Sequence, residues 1–260
     1  MRSSRLPAPG LPLFAGNPLK YVDWEISFRK LAESSGVPDA KKIYYFKKRD
    51  WETTVQNPGR VVSSRRKKQV GATSSQERGQ LSTMCCAINA AGTYIPPFFI
   101  FPRKNMKMCF MNGTLPGSKG CAVPSGYMNS DLFVNESLPF FKNLTRCTPE
   151  KPVLLILDNH SSHVSLEAVD MCSTSGTVLL TLPPHCSHRL QPLDRTVFGP
   201  LKTYFNKAMV DQLRMRPGEG ITIYHVGALG GIAFLKSMVP ANIISGFSST
   251  GIWPIDSDVF

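Results

Sequence analysis

The chain has 260 residues, is 42% hydrophobic with a mean hydropathy of −0.10, and carries 30 Lys or Arg against 18 Asp or Glu, a formal charge of +12. That is long and apolar enough for a sizeable core in a soluble globular protein, as one large domain or two small ones, and no apolar stretch reaches membrane-spanning length, so no membrane partner is expected. The seven cysteines are an odd number without framework spacing, which argues against a disulfide scaffold and for free thiols in a reducing compartment.

Residues 1–19 are rich in Pro and Gly and read as irregular; LPAPGLPLF is too broken by prolines for a signal peptide. Trp24, Ile26, Phe28 and Leu31 suggest a helix over 21–34, stopped by Gly36 and Pro38. Apolar runs predict strands at 43–46, 55–62 and 81–90, and Ala91-Gly92 marks a tight turn into a strand at 94–101. The run IPPFFIFP (95–102) is read as core, not as a partner surface. A helix is expected over 129–145, weakened by Pro139, then a buried strand at 153–157, a helix over 165–175 ended by Gly176, and a strand at 177–182. Helices over 197–215, closed by Pro217-Gly218, and over 224–238 complete the reading. Antiparallel strands followed by strands alternating with helices fit an α/β fold, a mixed sheet flanked by helices. The expected division is a divergent, partly disordered segment over 1–40 and a single domain over 41–260.

The densest signal lies in VLLILDNHSSH (153–163) and PPHCSHRLQPLD (183–194). Asp158 ends a buried strand, and Asp194 follows the next one at a distance of 36 residues. Carboxylates brought together by a fold are what hard divalent cations need, and two such ions about 4 Å apart clamp the attacking and leaving oxygens of a phosphodiester. From spacing alone, the plainer reading of Asp158 as a helix cap and Asp194 as a turn residue is favoured. His160, His163, His185, Cys186 and His188 also have zinc-like spacing, although structural zinc sites usually hold more thiolates.

DNHSSH, PPHCSH and LQPLD resemble the core motifs of pogo-like DDE transposases of the mariner superfamily and their domesticated relatives. The resemblance extends through 69–103, 197–208 and 246–260, so it covers about 53–260. It implies an RNase H-like fold, with Asp158 and Asp194 as catalytic and metal-binding residues for Mg²⁺ or Mn²⁺. It implies DNA as the partner, a nuclear location, and allows a homo-oligomer. It also places the four clustered histidines beside the carboxylates, hydrogen-bonding neighbouring groups or approaching phosphates.

One departure stands against the match. The family's first acidic residue precedes a segment like Thr53-Thr54-Val55-Gln56, and here KKRDWE (47–52) stands before it. Counting without a gap puts Lys48 in its place; one gap puts Lys47 there. An ammonium has no lone pair and repels a metal ion. Asp50 or Glu52 could substitute only if the strand slipped, and a two-residue slip would keep the same face. The expected function is therefore a transposase-derived endonuclease domain that binds nucleic acid with impaired cleavage; the alternative is a dead, domesticated module binding DNA or a protein. Residues 41–78 hold eleven Lys or Arg against three acids, and Arg65, Arg66, Lys67 and Lys68 are the candidate nucleic-acid contacts, against the plainer reading of a solvated loop. With no helix-turn-helix discernible, contact with phosphates without base readout is expected.

Overall fold

The computed structural model describes residues 26, 28–30, 39–52, 81–158, 160, 163, 165–182, 187–256 and 259. The expected strand at 55–62, the Thr53–Gln56 segment and the basic run at 65–68 lie outside these residues, as do His185 and Cys186. Within 21–34, the described positions 26 and 28–30 are helical, and Phe28 is buried in the core.

Six strands form one mixed sheet: β1 (Ile43–Glu52), β2 (Leu81–Asn89), β3 (Tyr94–Pro102), β4 (Lys119–Val123), β5 (Val153–Leu157) and β6 (Thr177–Thr181), in spatial order β4-β3-β2-β1-β5-β6. The pairs β1–β2 and β2–β3 are antiparallel; β3–β4, β1–β5 and β5–β6 are parallel. Val153–Leu157 is buried throughout and lies between two parallel partners, as an uninterrupted apolar run requires when both faces of a sheet are covered. The β2–β3 register slips between Cys85 and Ala87, where β3 carries Pro96 and Pro97; neither proline can donate to the ladder.

Helices cover both faces. On one lie α1 (130–145) and α2 (Leu166–Ser175), packed on Phe46, Leu155 and Leu157. On the other lie α3 (Ser187–Leu190), α4 (Pro192–Thr196), α5 (Phe198–Met215), α6 (Ile223–Ser237) and α7 (Pro240–Ser249), packed on Ile43, Tyr45, Leu154 and Ile156. Within α1 the segment Phe133–Ser137 widens to a π turn, with the Leu138 N–H bonded to the Phe133 carbonyl. Pro139 accounts for this: it has no N–H, its ring crowds the carbonyl four residues back, and the wider turn relieves both. Ser165 caps α2, and Gly176 ends it at a φ of 76°.

Most predicted elements are present. The strand expected at 43–46 is longer and runs to Glu52. β4, α4 and α7 were not expected from the pattern. His225 serves α6 as a cap partner: its Nδ1 accepts the Thr222 N–H at 3.0 Å. The six described cysteines are free thiols.

Candidate active site

The register of β1 and β5 builds the site. Their last pair is Phe46 with Leu157, so Lys47 and Asp158 stand next to each other one residue further along two parallel strands. Side chains alternate along a strand. Tyr45 belongs to the core beneath α4–α7 and Phe46 to the core beneath α1 and α2. Lys47 therefore points towards α4, and Lys48 points to the other face.

Asp194 lies on α4, not at a strand end, in the first turn behind Pro192. Its Oδ2 is 2.5 Å from the Lys47 ammonium, and the two side chains are 23% and 15% exposed. The same ammonium also donates to the Oε1 of Gln191, the buried residue that precedes α4. Lys48 instead brings its ammonium to within 3.3 Å of His160 Nε2. Lys47, the gapped alternative, thus occupies the position beside the two aspartates; the ungapped Lys48 does not.

Asp158 accepts a hydrogen bond at its Oδ1 from His163 Nδ1, at 2.8 Å. His163 is fully buried, its ring 4.7 Å from that of Phe133 in the π turn and 5.7 Å from that of Phe46, and its Nε2 has no partner among the described residues. Burial raises the affinity of the Asp158 carboxyl for a proton, but the His163 hydrogen bond and charge, with Lys47 and His160, outweigh it and hold the carboxyl below its ordinary range. Burial pushes the Tyr45 hydroxyl well up, and the charges of Asp158 and Asp194 push it further. Lys47 is the β1 side chain that links the two aspartates, bonded to Asp194 and next to Asp158 across the parallel pair. Burial and the Lys48 charge depress His160.

Asp50 does not replace the missing carboxylate. It lies on the Lys48 face of β1 with its Oδ1 2.5 Å from the Thr83 hydroxyl, which is also 2.7 Å from the Gly126 carbonyl oxygen, so the one hydroxyl proton serves two acceptors. The Glu52 side chain lies outside the described residues. The chemistry of the donor set does not fit a divalent cation between Asp158 and Asp194: one carboxylate is committed to an ammonium and the other to an imidazole. No group of three or more His, Cys, Asp or Glu side chains suited to a metal occurs among the described residues. Of the residues with zinc-like spacing, His163 is turned onto Asp158 and His160 onto Lys48, and the side chains of His185, Cys186 and His188 lie outside the described residues.

Gln191 and Tyr45 were not anticipated. Gln191 stands three residues before Asp194 in LQPLD, so the motif itself held the signal. Tyr45 looked like any other core aromatic.

Known proteins share this architecture. A family model described as DDE superfamily endonuclease matches residues 78–225. The chain is 28% identical over 214 residues to the MFS-type transporter clz9 of Cochliobolus lunatus, covering 74% of this chain and 22% of that protein. It is 31% identical over 129 residues to the Pogo transposable element with ZNF domain of Homo sapiens, covering 49% of this chain and 9% of that protein. The chain thus spans less than a quarter of either relative. No single helix among the described residues is long and apolar enough to cross a membrane. In fold, the chain is similar to the Mos1 mariner paired end complex with Mn, at 13% identity and a TM-score of 0.52 over 95% of this chain and 64% of that one. The Mos1 strand transfer complex gives the same TM-score at 11% identity, over 95% and 63%. The mixed sheet between two helical layers is the RNase H-like arrangement, and the chain belongs to the DDE superfamily endonuclease family.

Proposed function

We propose that this chain is a transposase-derived domain that holds DNA, acts in the nucleus, and has lost most or all of its ancestral strand-cutting activity. The single observation that carries the loss of cutting is the Lys47 ammonium seated on Asp194 beside Asp158. A metal ion entering there would have to displace an ion pair and approach a fixed positive charge. Family membership and the charge of +12 support DNA as the partner, because phosphate contact needs only positive groups on one surface.

The test is a nicking assay on supercoiled plasmid with Mg²⁺ or Mn²⁺, run alongside calorimetric titration with Mn²⁺. The wild-type chain is expected to leave the plasmid intact and to show no Mn²⁺ binding at this site. Robust nicking that disappears in Asp158→Ala would overturn the proposal. A fluorescently tagged chain that stays out of the nucleus would overturn the location.

A further inference from the structure

The sequence pointed to 65–68 for nucleic acid, but the described surface offers a different face. Helix α5 buries Phe198, Leu201, Phe205, Ala208 and Met209 against the core. At 3.6 residues per turn, Gly199, Lys202, Thr203, Asn206 and Lys207 fall together on the opposite side, and all five are exposed. Arg195, exposed in the last turn of α4, directly follows the site residue Asp194 and leads onto this face. From Arg195 to Val210 there is no acidic residue. The flanking acids are already engaged, Asp194 by Lys47 and Asp211 by Arg214. Arg195, Lys202 and Lys207 make no ion pair among the described residues, whereas Lys119, Arg214 and Arg216 each do.

Gly199 supplies a second observation. A Cβ added there would meet no atom within 4 Å, so packing inside the domain does not call for a glycine. Glycine also disfavours a helix relative to alanine. A bare main chain at an exposed position between cations is what the close approach of an external backbone calls for.

We infer that the exposed face of α5, with Arg195 at its head, is the track on which a duplex DNA backbone lies as it passes the acidic pair. The inference rests on the DNA-binding reading above and assigns it a surface. The cations supply charge; Thr203 and Asn206 supply hydrogen-bonding groups for phosphate oxygens. None of this reads bases, so the face holds DNA without sequence preference.

The experiment measures binding of the full chain to a random 30-base-pair duplex by fluorescence anisotropy, from low to moderate salt. The paired variant Lys202→Gln/Lys207→Gln is expected to weaken binding about ten-fold at low salt and to reduce the slope of log affinity against log salt by about two. Lys142→Gln/Lys151→Gln removes the same charge from exposed positions on and beside the opposite helical layer and is expected to leave the slope unchanged. Gly199→Leu changes no charge and its Cβ meets no neighbour, and circular dichroism checks that the fold is retained; it too is expected to weaken binding, by holding the backbone off. If wild type binds and both α5 variants bind equally well, the face is wrong while the DNA-binding reading survives. If wild type does not bind at low salt, both fall. If polyglutamate binds as tightly as the duplex and the α5 variants weaken it equally, the face is a general polyanion surface and the duplex assignment is overturned.

Discussion

Lys47, not Lys48, is the β1 lysine that stands beside the acidic pair, and strand parity is what identifies it. Residues 47 and 48 are chemically identical, so the sequence alone left both open. The structure separates them by face: odd positions of β1 meet α4, even positions meet α1 and α2. Lys47→Asp is therefore expected to create measurable Mn²⁺ binding, seen as heat on titration and as a rise in melting temperature with metal. Lys48→Asp is expected to do neither, and equal gains in both variants would refute the parity argument. The motifs singled out Asp158 and Asp194. The partners that tie them down were not legible, because Gln191 and Tyr45 acquire their roles only when distant segments meet. The hold on Asp158 also has a pH signature. Its folded carboxyl is depressed, so its charge contributes stability above the ordinary carboxylate range, near pH 4, that is lost as pH falls through the lower folded value. Asp158→Asn keeps an acceptor for His163 but not the charge. It is expected to cost roughly 1–2 kcal/mol in urea unfolding at pH 7, a gap that narrows below pH 4.

At the scale of elements, the site depends on a helix that sequence pattern did not reveal. Helix α7 fastens α4, the carrier of Asp194: Thr196 donates its hydroxyl to the Asn242 carbonyl at 2.6 Å, and Gly246 lets the two backbones close. A Cβ at Gly246 would stand 2.7 Å from the Pro192 carbonyl oxygen. Gly246→Ala would normally favour a helix, yet here it must push α4 outward. It is expected to destabilise the domain by about 1–3 kcal/mol and to expose the Lys47–Asp194 pair to solvent. Hydrogen exchange that quickens selectively in 191–197 would register this; unchanged exchange and unchanged stability would refute it. The reason α7 escaped notice is physical. PANIISGFSS pairs few strong helix formers with Gly and three Ser, and its helical state is imposed by packing on α4. β4 escaped for a similar reason. KGCAV is short, half-buried at a sheet edge, and recognisable as a strand only beside β3.

For the molecule as a whole, the apolar pattern was the dependable guide. VLLIL, IPPFFIFP and the periodic runs of α5 and α6 carry their burial in sequence, and from them follow the mixed sheet and the helices on its two faces. The same arrangement has an energetic consequence. The two helical layers are separate apolar cores divided by the sheet, and β5 contributes adjacent residues to both: Leu155 to the core under α1 and α2, Ile156 to the core under α4–α7. Each is at most 1% exposed. Truncating either to alanine leaves a cavity and is expected to cost about 2–5 kcal/mol. If the layers were independent, Leu155→Ala would lower the melting of one and Ile156→Ala that of the other. Because a single strand, paired in parallel on both sides, anchors both, the two variants should instead shift one shared transition. A loss of 2–4 °C for each kcal/mol is expected for a chain of roughly this size. Calorimetry and circular dichroism on the two variants would decide it. A wild-type trace that splits into two transitions, each moved by only one of the variants, would show that the sheet divides the domain into separately melting halves.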